Sequence, residues 1–73
     1  MKLRVKKMSQ LGDTVSVLEL EAAEELFANP HYAVAIAEQI VKSAAELRQV
    51  AKDEFPTAEE VEVILFPQLA GGF

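Results

Sequence analysis

His31-Tyr32-Ala33-Val34-Ala35-Ile36-Ala37-Glu38-Gln39-Ile40-Val41 is the stretch on which the fold turns. Tyr32, Val34 and Ile36 alternate with Ala33, Ala35 and Ala37, the period of a half-buried strand. Ile36, Ile40, Ala44, Leu47 and Ala51 also share one face of a single helix reaching about Asp53, and the alanine content favours that helix on propensity. Periodicity leaves both readings open. A hairpin here makes the chain sheet-rich; a helix from about 31 to 53 makes it a helix lying over three strands.

Working outward, Asn29-Pro30 stops whatever precedes it, because the residue before a proline is pushed out of the helical region. Upstream, Leu3 and Val5 alternate with Lys2, Arg4 and Lys6, which predicts a strand over residues 2–8. Gly12-Asp13 marks a turn. From Thr14 two patterns compete. Val15, Leu18, Ala22 and Leu26 recur at helical spacing, whereas Thr14 to Leu20 is rich in β-branched residues. The helix-forming run Glu21 to Leu26 and a capping-box spacing at Ser16-x-x-Glu19 favour a helix from Thr14 through Leu26. Downstream, Phe55-Pro56-Thr57 is a break, and Thr57 to Glu60 suits one short turn. Val61 to Phe66, a nearly continuous apolar run between Glu60 and Pro67, reads as a strand central in a sheet. Residues 67–73 read as a flexible C-terminal tail on a single domain spanning 1–73.

Composition narrows the function classes. With 73 residues, about 60% of the unfolded surface is buried on folding, too little for a deep enclosed pocket. Twelve acidic and seven basic side chains leave a net charge of −5, which repels phosphate backbones and argues against nucleic-acid binding. A basic groove on a partner protein is the better electrostatic match. There is no cysteine, so disulfides, thiolate metal sites and cysteine nucleophiles are out; one histidine, His31, excludes a multi-histidine zinc site. No run approaches the roughly 20 apolar residues of a membrane span, and Met1 to Lys7 lacks a signal-peptide apolar core, so a cytoplasmic protein is expected.

Two stretches carry a family resemblance. Val61-Glu62-Val63-Ile64-Leu65-Phe66-Pro67-Gln68-Leu69-Ala70-Gly71-Gly72, a strand followed by a proline, small residues and a Gly-Gly pair, resembles the C-terminus of the ubiquitin-like sulfur carriers. These are the thiamine-biosynthesis carrier (ThiS) and the small subunit of molybdopterin synthase (MoaD). His31 to Val41 resembles the third strand, turn and short fourth strand of the same family. The resemblance implies an α+β, ubiquitin-like β-grasp fold, a small mixed sheet packed on one main helix. Four departures stand out: Ala37-Glu38 where the family turn carries Asn or Gly, a longer segment from Lys42 to Thr57, Glu59-Glu60 before the last strand, and Phe73 after Gly72.

By the same resemblance the chain is a protein cosubstrate and not an enzyme. The Gly72 carboxylate is the reactive terminus, adenylated by a ubiquitin-activating-like enzyme that uses ATP and then converted to a thiocarboxylate. A sulfur-accepting synthase takes the sulfide, and no cofactor is bound by the carrier itself. Phe66, Pro67, Leu69, Ala70 and Gly71 are the implied partner-binding residues. Two glycines suit a narrow channel because they lack side chains and accept almost any backbone angle. Phe73 blocks the chemistry while it is amide-linked to Gly72, which implies prior removal by a JAMM-type metallopeptidase.

Elsewhere the residues suggest less. His31 has no serine or acid pattern to form a triad. Glu59, Glu60 and Glu62 read as a solvated acidic face, and Lys42, Arg48 and Lys52 as a solubilising helix surface. Two rival functions remain: a non-enzymatic interaction module or homodimeric adaptor built on the 31–53 helix, and an accessory subunit whose tail enters a partner's active site without acyl chemistry.

Overall fold

The computed structural model describes residues 1–9 and 11–68. The chain forms a small α+β domain. Strands β1 (Lys2–Lys7) and β2 (Thr14–Glu19) are followed by a 3-10 helical segment, Leu20–Phe27, then by β3 (Tyr32–Ile36) and β4 (Gln39–Val41). Helix α1 (Ala44–Glu54) and β5 (Glu60–Pro67) complete it. The five strands make one mixed sheet in the order β2-β1-β5-β3-β4. β5 lies at its centre, parallel to β1 and antiparallel to β3. The expected central strand at Val61 to Phe66 is thereby found, lengthened by one residue at each end.

The deciding stretch is a hairpin. Val34 pairs with Val41, Ala35 with Ile40 and Ile36 with Gln39, so a helix from 31 to 53 does not form. Its first half is taken by the sheet because Val34, Ile36 and Val41 are then all buried at 4% exposure or less. Only Ala44–Glu54 becomes helical. Its start is fixed locally: the Ser43 hydroxyl accepts from the Glu46 N–H at 3.1 Å, and the Glu46 carboxylate accepts from the Lys42 N–H at 2.8 Å. This reciprocal pair satisfies two backbone donors at the helix entrance.

The helix expected from Thr14 to Leu26 is also corrected. Thr14–Glu19 is a strand pairing residue for residue with β1, from Lys7↔Thr14 to Lys2↔Glu19. The β-branched Thr14, Val15 and Val17 prefer that extended backbone, and the Ser16-x-x-Glu19 spacing caps nothing. Only Leu20–Phe27 is helical, as 3-10 turns with a kink at Ala22 (φ −95°, ψ 15°).

One face of the sheet carries the core. Leu3, Val5, Val34, Ile36, Val41, Val61 and Val63 meet Ala23 and Leu26 from the 3-10 segment and Leu47 and Ala51 from α1. Burial of this face holds the layers together at roughly 25 cal/mol per Å² of apolar surface removed from water.

Arg48 is more than the solubilising charge expected of it. Its guanidinium donates to the Leu20 carbonyl (Nε, 3.3 Å), to the Glu21 carbonyl (Nη2, 2.9 Å) and to the Glu24 carboxylate (Nη2, 2.7 Å to Oε1), tying α1 to the 3-10 segment. The Arg48 hydrogen bonds hold the Glu24 carboxyl below its ordinary pKa. That pairing is therefore complete above the usual carboxylate range and is lost as the pH falls below it.

Candidate functional site

The second face of the sheet has no helix over it, and strand alternation decides what it shows. Because Leu3 and Val5 point into the core, Lys2, Arg4 and Lys6 of β1 point the other way. Their partners directly across β2 and β5 share that face. Lys2 lies between Glu19 and Glu60, Arg4 between Val17 and Glu62, and Lys6 between Val15 and Ile64. Beyond Ile64 the row continues through Ala35 to Ile40, and Phe66 stands opposite Ala33. The open face thus changes character along its length. At the end where β5 begins, it is a charged checkerboard. Toward the end where β5 leaves the sheet it becomes apolar, with Ile64 and Phe66 half-buried and Ile40 62% exposed.

A groove of ≈ 490 Å³ runs along the edge of β3 beyond the end of β4, where the two faces meet: Phe66, Ile40 and Ala33 line it from the open face, and Phe27, Val34 and Val41 from the core side. It exists because β4 stops at Val41 while β3 extends back to Tyr32, leaving the first residues of β3 without a neighbour on that side.

The point where the chain leaves the sheet is fixed on several sides. The Gln68 N–H donates to the His31 carbonyl at 2.8 Å, carrying the β3–β5 ladder one step past Pro67. Its side-chain Nε2 donates to the Tyr32 carbonyl at 3.3 Å. On the core side the Lys7 ammonium sits 4.7 Å from the centre of the Tyr32 ring, within cation–π range. Tyr32 in turn lies opposite Pro67, and Lys7 opposite Leu65.

Of the residues singled out for partner binding, Phe66 and Pro67 fall at this end: Phe66 lines the groove and Pro67 is exposed as the last residue of β5. Of the expected tail over 67–73, Pro67 is the last residue of β5 and Gln68 is hydrogen-bonded to β3 and the residue before it. Leu69, Ala70, Gly71, Gly72 and Phe73 lie outside the described residues. Leu65 packs against the core. His31 is exposed, and so are Glu59, Glu60 and Glu62. Reading the sequence alone missed Ile64, Ile40, Tyr32 and Gln68. Alternation from Val61 and Val63 would have placed Ile64 as it places Glu62, on the open face; nothing local marks Gln68, whose partners are 36 and 37 residues away.

No polar or charged side chain is buried among the described residues. No helix among them is long and apolar enough to cross a membrane. No protein-family model, curated protein or solved structure matches the chain. The arrangement is an apolar end of a sheet face beside a fixed chain exit, bordered by a checkerboard of charge.

Proposed function

We propose that the chain is a β-grasp, ubiquitin-like sulfur carrier, a protein cosubstrate whose Gly72 carboxylate becomes a thiocarboxylate after Phe73 is removed. The observation that carries this reading is the exit of β5. A central strand flanked by two hairpins ends in a proline and a doubly hydrogen-bonded Gln68, directly before Leu69-Ala70-Gly71-Gly72. Such an exit delivers a short segment to a partner from a defined place and direction. The strand order β2-β1-β5-β3-β4 supports the β-grasp assignment, and the apolar end of the open face supports docking beside that exit.

The chemistry needs a partner because a carboxylate is a poor acyl donor. A carboxylate oxygen of Gly72 attacks the α-phosphorus of ATP and releases pyrophosphate, giving an acyl adenylate. Sulfide then attacks the acyl carbon and expels AMP, leaving the thiocarboxylate. The ubiquitin-activating-like enzyme supplies the ATP site. This chain supplies the acyl group and the surface around Ile64 and Phe66. A sulfur-accepting synthase discharges the product, and a JAMM-type metallopeptidase removes Phe73 beforehand.

A chain ending at Gly72, incubated with ATP, sulfide and an activating enzyme, should gain about 16 Da as one oxygen is exchanged for sulfur. The chain still carrying Phe73 should gain nothing, as should the Gly72-ended chain without ATP. No gain in the Gly72-ended chain with activators of the thiamine and molybdopterin types would overturn the assignment.

A further inference from the structure

β2, one of the two outer strands of the sheet, is largely exposed among the described residues. β2 pairs with β1 through six consecutive residues with no bulge, and contains no proline and no lysine. Five of its six residues are exposed, including Val15 at 55% and Val17 at 53%. Edge strands ordinarily carry a charge, a bulge or a covering loop that discourages pairing with another chain. Thr14 to Leu18 carries no charge and is rich in β-branched residues. The opposite edge, β4, is only three residues long.

We infer that β2 is a self-association edge, and that two copies of the chain join their sheets by antiparallel β2–β2 pairing about a two-fold axis at Ser16. The axis is set by the side chains. A two-fold perpendicular to the sheet keeps the open faces on the same side, so only like-facing residues come opposite. Centring on Ser16 sets Val15 against the partner's Val17 twice, closing four valines into one cluster, and sets Thr14 against the partner's Leu18. The alternative centre at Val17 sets Val15 against a carboxylate, the partner's Glu19. At each end of the seam this centre puts two carboxylates opposite each other, a contact that keeps the dimer weak. Asp13 then faces the partner's Glu19, and each carboxylate has its own cation in place: Lys6 lies 3.6 Å from Asp13, and Lys2 is the cross-strand partner of Glu19. β1 separates this edge from β5 and its exit, and β1 and β5 together separate it from β3, so the pairing leaves that end of the open face uncovered. The inference is independent of the sulfur-carrier reading.

A seam of about six residues a side is small, so the dimer should be weak and reversible. Sedimentation velocity on the 73-residue chain should show monomer at about 10 µM and substantial dimer near 1 mM. V15E/V17E puts two carboxylates opposite two carboxylates and should weaken association about tenfold or more. V15K/V17E puts each introduced lysine opposite a glutamate of the other copy and should restore it. Both changes fall on exposed side chains, and far-UV circular dichroism of each variant should match the parent. A parent that stays monomeric near 1 mM overturns the inference. So does a V15E/V17E variant that associates as tightly as the parent, and a V15K/V17E variant no tighter than V15E/V17E overturns the Ser16 centre and with it the proposed seam.

Discussion

Replacing Leu47 by alanine should lower the unfolding free energy by about 3 kcal/mol, the middle of the range for leucine-to-alanine changes in cores. Leu47 is fully buried and, with Ala51, is how α1 enters the core shared by Leu3, Ile36 and Val63. A domain of this length has on the order of 4–11 kcal/mol to lose, so the variant should be partly unfolded at warm temperatures. Its urea midpoint should fall sharply with little change in slope. Leu47→Met keeps the volume and should cost less than about 1.5 kcal/mol. Leu11→Ala, at a fully exposed position, should change stability by less than about 0.5 kcal/mol. A Leu47→Ala loss as small as that of Leu11→Ala would mean that α1 is not seated on the sheet.

The second large effect runs the other way. The β3–β4 turn holds two non-glycine residues at positive φ, Ala37 at 53° and Glu38 at 63°. This is the φ signature of a type I′ turn, which matches the twist of the flanking strands but favours Asn-Gly at its centre. Each L residue with an ordinary side chain in the left-handed region costs roughly 1–2 kcal/mol. Ala37→Asn with Glu38→Gly should therefore stabilise the protein by about 1–2 kcal/mol, after the entropy cost of glycine in the unfolded chain is subtracted. In thermal melts that is a rise of roughly 4–8 °C for each kcal/mol. Ala37→Val, β-branched at the same φ, should shift the melt downward. An unchanged or lowered midpoint for the Asn-Gly variant would contradict a two-residue turn at 37–38.

The same turn explains where the sequence was hard to read. Alternation through Tyr32, Val34 and Ile36 pointed to a strand, while Ala37-Glu38 offered none of the residues that announce a tight turn, so a helix fitted equally well. The hairpin forms because the core accepts Val34, Ile36 and Val41 together; the turn then takes the backbone it is given. β1 and β5 were legible because each has an unbroken pattern bounded by charge or proline. The region after Gly12 misled for a different reason. Ser16-x-x-Glu19 and Ser43-x-x-Glu46 have identical spacing, and only the second caps a helix. Around the first, pairing with β1 outweighs a local propensity worth a few tenths of a kcal/mol per residue. Of the residues around the exit of β5, Phe66 and Pro67 could be found from the end of the apolar run. Ile40, Tyr32 and Gln68 come together only through strand order, which no local pattern encodes. Arg48 was illegible for the same reason: its acceptors are at least 24 residues away in sequence.

The most direct test of the proposed function is the mass of the mature polypeptide from its native cell. Intact-mass and C-terminal peptide analysis should find the chain terminating at Gly72, with a fraction about 16 Da heavier that returns to the carboxylate mass on hydrolysis, water entering and hydrogen sulfide leaving. A mature chain in which the Gly72–Phe73 peptide bond is intact throughout would contradict it, because no free carboxyl would then exist at Gly72 to carry sulfur.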